Sequence, residues 1–139
     1  MGSYLLDSTT FSFLMERRPE VVARMESVAP GDRVAICTIV RGEILYGLER
    51  MPPGRRRREI ERAAIELFGV LPCDGLPDAV ADVYARIKYD AERTGSQVAE
   101  NDLWIAATAL ANGATVVTSD ADFGRVSGLN VEDWTKQAR

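Results

Sequence analysis

Short apolar runs alternate with longer stretches of helical periodicity along nearly the whole chain, and this alternation constrains the fold more than any other feature. Tyr4 to Leu6, Val34 to Cys37, Val70 with Leu71, and Ala114 to Thr118 are apolar, short and bounded by turn or capping residues, so each reads as a buried strand. Leu129 to Val131 adds a possible edge strand. Between the strands, Ser8, Thr9 and Thr10 offer N-cap hydroxyls to a helix ending near Met15, and Pro19 opens a second short helix. Thr38 is expected to cap a helix over Ile39 to Leu48, which Pro52, Pro53 and Gly54 close before an arginine-led helix to about Phe68. From Leu76 to about Thr94 the stripe Val80, Val83, Tyr84, Ile87 and Ala91 predicts an amphipathic helix closed by Gly95. Asn101 to Asn112 is apolar all round, as a buried helix is, and Gly113 lies past its end.

Such an order of elements predicts an open three-layer α/β/α sandwich around a central, mostly parallel sheet of four to five strands with right-handed crossovers. With 139 residues, 46% of them apolar, the chain suits a single domain spanning 1–139. Cys37 and Cys73 match no thiolate zinc pattern and no redox pair, and both are expected as buried, inert thiols. The chain shows no charged-then-apolar leader and no apolar run near the roughly 20 residues that span a bilayer, so the expectation is a cytoplasmic protein without a membrane segment.

Histidine is absent, which removes imidazole as base, proton shuttle or metal ligand. Four carboxylates stand out instead. Asp7 ends the first strand and Asp120 follows the fourth, so both belong at the carboxyl edge of the sheet, where ligands of such folds bind. Asp102 opens a helix of about 18 Å that runs antiparallel to the strand it feeds, which returns its first turn to the same edge. Glu43 sits one turn into the helix after the second strand, projecting between Ile39, Val40, Tyr46 and Gly47, and can lean over that edge.

Taken singly, each acid has a plain explanation: Asp7 and Asp120 as turn formers, Asp102 as a charge favoured at a helix N-terminus, Glu43 as a polar residue on a helix flank. Together they demand more. Two carboxylates about 5 Å apart repel by about 3 kcal/mol at an effective dielectric of 20, so a gathered set calls for a cation. Hard oxygen donors select Mg²⁺, with Mn²⁺ as a substitute, and point to metal-assisted phosphodiester hydrolysis. The net charge of −4 argues against a surface of general positive potential. The positive charge is concentrated at Arg55, Arg56, Arg57 and Arg58, read first as a solvated helix face and alternatively as a phosphate-contacting patch.

LLDSTTFSFL at the start, the Glu43 helix RGEILYGL, the helix NDLWIAATAL and the closing VVTSDADF, taken in order, resemble the PIN-domain ribonucleases. More narrowly, the chain resembles the VapC toxins of bacterial type II toxin-antitoxin systems. The resemblance implies a Mg²⁺- or Mn²⁺-dependent endoribonuclease that inhibits growth or translation by cutting RNA. Its acidic quartet falls on Asp7, Glu43, Asp102 and Asp120, with Asp7, Asp102 and Asp120 on the metal and Glu43 completing the shell or orienting the attacking water. Asp122, Thr118, Ser119 and Asn101 follow as second-tier residues. The resemblance further implies a homodimer and a VapB-type antitoxin whose C-terminal segment lies across the acidic pocket. Phe11, Phe13, Leu14, Val21, Val22 and Met25 could supply apolar surface for such contacts or simply pack the domain. Where many relatives have Thr-Asn after the first aspartate, this chain has Ser8-Thr9.

Two other readings stand beside this one. A phosphoacceptor receiver-like module also sets acids and Mg²⁺ at a sheet edge, but it wants a lysine after its last strand, and the lysines here are Lys88, in a helix, and Lys136. A catalytically idle PIN domain would bind its partner without turnover.

Overall fold

The computed structural model describes residues 2–136, so the outermost ends of the expected 1–139 domain lie outside the described residues. The elements run β1 (Ser3–Leu6), α1 (Ser8–Met15), α2 (Pro19–Ser27), β2 (Arg33–Cys37), α3 (Thr38–Glu49), α4 (Arg55–Val70), β3 (Cys73–Asp74), α5 (Asp78–Thr94), α6 (Glu100–Asn112), β4 (Thr115–Val117), a 3-10 turn (Ala121–Arg125) and β5 (Val131–Glu132). The five strands form one sheet in the order β3-β2-β1-β4-β5, and every pairing is parallel. With right-handed crossovers, the connections from β1 to β2 to β3 lay α1–α4 on one face, and the return from β3 to β4 lays α5 and α6 on the other. The packing of α1 on α3 and α4, and of α5 on α6, follows this division. The expected α/β/α sandwich is thus present, with five strands and, among the described residues, six α-helices.

Central β1, β2 and β4 hold the core, where Leu5, Leu6, Ile36, Val116 and Val117 are essentially inaccessible. Ile105, Ala106, Ala107 and Ala109 of α6 are buried against them, as its uniformly apolar composition requires. On the same side Tyr84 of α5 stacks on Trp104 of α6 with ring centroids 3.7 Å apart. Gly95 (φ 72°) and Gly113 (φ 65°) terminate α5 and α6 in the left-handed region, where a residue without Cβ is favoured. No helix among the described residues is long and apolar enough to cross a membrane.

Several boundaries depart from expectation. The third strand is Cys73–Asp74, not Val70 with Leu71. Helix α4 continues through Val70, and Leu71 turns extended because it precedes Pro72, whose ring disfavours helical geometry in the residue before it. The same effect of Pro77 moves the start of α5 from Leu76 to Asp78. β4 is one residue shorter at each end than expected, and the edge strand lies at Val131–Glu132. Cys37 is buried as expected, but Cys73 is exposed because β3 is an edge strand. Phe11, Leu14 and Val21 are buried, and Phe13, Val22 and Met25 pack partly buried against them, so these residues fill the domain rather than form an exposed apolar face.

Candidate active site

β1 and β4 are neighbours whose connections leave in opposite directions, β1 towards β2 and β4 towards β5. In open parallel sheets the crevice beyond the carboxyl ends of such a pair is the usual ligand site. The register Leu6↔Val117 places Asp7 beside Thr118 at this crevice, and the Asp7 N–H donates to the Val117 carbonyl at 3.1 Å. Asp7 is only 4% exposed. It is also the N-cap of α1, with Oδ1 accepting the Thr10 N–H at 2.8 Å, a role expected of the hydroxyls that follow it. Thr10 instead donates its hydroxyl to the Val117 carbonyl at 3.0 Å, tying α1 to β4. Burial pushes the Asp7 carboxyl above its ordinary range; hydrogen bonds from Thr118 and Thr10 oppose that rise, and the charge of Asp120 adds to it.

Asp120 follows β4, and its N–H donates to Thr118 Oγ1 at 2.9 Å. Its own Oδ1 accepts the Asp122 N–H at 2.9 Å, capping the 3-10 turn. Asp102 lies half-buried in the first turn of α6. Burial, followed by the charges of Asp120, Glu43, Asp7 and Asp122, pushes its carboxyl up to about 6. The acids that raise this carboxyl come from three segments: the β1–α1 junction, α3 and the turn after β4.

Glu43 is the fourth member and projects from α3. Its Oε1 accepts the Ser8 hydroxyl at 2.5 Å, and its Oε2 faces Asn101 Nδ2 at 3.4 Å, a long contact. Helices α1, α3 and α6 therefore all contribute to holding one carboxylate.

Asp7, Glu43, Asp102 and Asp120 are thus brought together, with Asp122, Thr118 and Asn101 around them. Ser119 is exposed and, among the described residues, makes no hydrogen bond to these acids. Two contributors escape the sequence reading. Ser8, read as a capping hydroxyl, points at Glu43. Arg125 pairs with Asp122 at 3.1 Å and donates to the Gln97 carbonyl at 2.8 Å, tying the turn after β4 to the loop before α6. The three-residue spacing of Asp122 and Arg125 on a short helical turn is the signal that could have revealed that pair.

Among the described residues, no three or more aspartate, glutamate or cysteine side chains close into a ready-made metal cage. The charges of Asp120, Glu43 and Asp7 nevertheless act on Asp102, and that of Asp120 acts on Asp7. A hard cation such as Mg²⁺ keeps several of its waters, so carboxylates can serve it without closing into such a cage. The donors are all oxygens, which fits Mg²⁺ or Mn²⁺ and not a softer metal.

The fold is that of a PIN domain, and the PIN domain family model matches residues 4–129. Over 136 residues the chain is 30% identical to Ribonuclease VapC1 of Haemophilus influenzae strain R2866, covering 96% of this chain and 98% of that protein. It is 27% identical over 136 residues to the tRNA(fMet)-specific endonuclease VapC of Shigella flexneri, covering 97% of this chain and 100% of that protein. The structure of VapBC-1 from nontypeable Haemophilus influenzae matches with a TM-score of 0.85 at 26% identity, covering 96% of this chain and 99% of that one. The chain belongs to the PIN-domain family and, within it, to the VapC ribonucleases.

Proposed function

We propose that this protein is the toxin of a type II toxin-antitoxin pair, an endoribonuclease that requires Mg²⁺, or Mn²⁺ in its place, and inhibits growth or translation by hydrolysing RNA. The observation that carries this reading is the convergence of Asp7, Glu43, Asp102 and Asp120 at the crevice between β1 and β4. Asp7, Asp102 and Asp120 would hold the cation, and Glu43 would complete the set directly or through water. When bound, the cation supplies an acidified water and stabilises the leaving oxygen of an in-line displacement. Glu43, held by Ser8 and Asn101, orients the attacking water. Thr118 and Thr10 keep Asp7 in place at the end of β1.

A VapB-type antitoxin is the expected partner, its C-terminal segment closing the acidic pocket, and the toxin is expected to be a homodimer. The match to VapBC-1 supports the antitoxin pairing. The receiver-like alternative is not favoured, because Lys88 is engaged by Glu100 and the Tyr84 hydroxyl and the PIN match spans 4–129.

The deciding experiment incubates purified protein with total cellular RNA in Mg²⁺, in Mn²⁺ and in EDTA, beside an Asp7→Asn variant purified identically. Discrete cleavage products in either metal, absent in EDTA and from the variant, are expected. A folded protein that binds its antitoxin but never cleaves would instead be an idle PIN domain.

A further inference from the structure

Helices α1, α3 and α4 enclose an open groove of about 330 Å³ that is continuous with the acidic site, since Ser8 and Glu43 line it. Ile44, Leu48 and Ile60 give it an apolar floor. The four arginines at the start of α4 differ sharply in their relation to it. Arg55 pairs with Glu59 at 3.0 Å. Arg57 pairs with Glu49 at 3.7 Å and donates to the Met51 carbonyl at 3.1 Å. Arg58 lines a separate hollow together with Glu61 and Glu66. Arg56 opens on the groove, is exposed, and among the described residues has no carboxylate within ion-pair distance.

Arg56 is also the groove's one cation among the described residues, facing Glu43 and the exposed Glu16. A polyanion drawn into a groove with two acids needs a fixed positive charge at the point where its backbone passes. A guanidinium offers that charge as a planar fork matched to phosphate oxygens. The apolar floor suits the faces of unstacked bases.

We infer that Arg56 is a substrate-positioning residue that receives a backbone phosphate of the RNA strand as it leaves the acidic site along the α1–α3–α4 groove. This inference rests on the ribonuclease reading above.

The test measures binding of a fluorescein-labelled, single-stranded RNA of mixed sequence by anisotropy, in an Asp102→Asn background that keeps the probe intact. RNA cleavage is measured separately in the otherwise unaltered protein. Arg56→Ala is expected to weaken binding about tenfold, the loss of one charge-assisted contact. The log–log salt slope should become shallower by about 0.7, the value for one phosphate on a single strand. KM for cleavage should rise while kcat is retained, Arg56→Lys should fall between parent and alanine, and Arg55→Ala should behave as parent. Equal binding by parent and Arg56→Ala, or an equal loss with Arg55→Ala, would overturn the inference. So would an Arg56→Ala protein that handles RNA normally but releases a co-purified partner polypeptide, because the groove would then belong to that polypeptide. Binding that depends on Arg56 without any cleavage by the parent would sink the ribonuclease reading and leave the phosphate contact standing; no binding by the parent would sink both.

Discussion

Ser8 donates its hydroxyl to Glu43 across 2.5 Å, joining the first turn of α1 to the second turn of α3. The contact fixes which lone pairs of the carboxylate remain for a metal-bound or attacking water. A hydrogen bond to a charged group contributes about 1.5–3 kcal/mol, and a similar misplacement in the transition state corresponds to a loss of about tenfold to a hundredfold in rate. Ser8→Ala is expected to lower kcat within that range with little change in KM. Ser8→Thr keeps the hydroxyl and should restore most of the rate, whereas a purely structural role for Ser8 would leave kcat unmoved in both variants.

Asp7 combines two roles, and substitutions can separate them. Its Oδ1 caps α1 through Thr10 while its charge contributes to the acidic field around Asp102. Asp7→Asn keeps an oxygen for the cap and loses the charge, so RNA cleavage and uptake of Mg²⁺ should both collapse while thermal stability holds. Asp7→Ala loses the cap as well and should be less stable than Asp7→Asn by about 1 kcal/mol. Calorimetric Mg²⁺ titration and thermal unfolding of the two variants side by side provide the check. Undiminished cleavage by pure, folded Asp7→Asn would refute its place in the site.

Asp102 makes stability depend on pH in a predictable direction. Its carboxyl is raised from 3.8 to about 6 by burial and by neighbouring acids. The folded state therefore holds a proton that the unfolded state releases sooner, and stability from this group is full below about pH 4 and lost as pH rises towards and through 6. Relative to Asp102→Asn, the metal-free parent should lose on the order of 2 kcal/mol across that window, allowing for the partial exposure of the group. Bound Mg²⁺ offsets the repulsion, so adding it at pH 7 should raise the Tm of the parent more than that of Asp102→Asn. Parallel pH profiles for the two proteins would contradict this account.

The alternation of strand and helix made the parallel sheet legible in the sequence, because β-branched runs and glycine stops act locally. Gly95 and Gly113 end their helices where the pattern placed them. Val70 and Leu71 illustrate the limit: a short apolar run at the end of a helix has the same composition as a buried strand, and only the conformational effect of Pro72 tells them apart. The acids were legible for a related reason, since the carboxyl edge of a parallel sheet is defined by chain order alone. Their partners were not. Ser8 and Glu43 are 35 residues apart, and their contact depends on how α1 packs against α3. The capping roles of Asp7 and Asp120 are real as well, so a plain structural explanation and an electrostatic effect on Asp102 hold for the same residues.

Thr118 is where those two roles meet. It is 1% exposed at the end of β4, its Oγ1 accepts the Asp120 N–H at 2.9 Å, and its hydroxyl lowers the pKa of Asp7. One buried hydroxyl thus sets the backbone from which Asp120 projects and supports the charge on Asp7. Thr118→Val nearly preserves shape but removes both interactions, leaving the Asp120 N–H without its partner and Asp7 less readily ionised. Stability should fall by about 1 kcal/mol, the net loss of a hydrogen bond whose donor, on exposed Asp120, water can still reach. The pH at which Mg²⁺ affinity reaches half its maximum should shift upward, because Asp7 then ionises at higher pH. Thr118→Ser restores the hydroxyl and should return that midpoint close to its parental value even if the lost methyl leaves some stability deficit. Calorimetric Mg²⁺ titrations across pH for the three proteins separate this coupling from simple packing, which would change stability in both variants and leave the midpoint fixed.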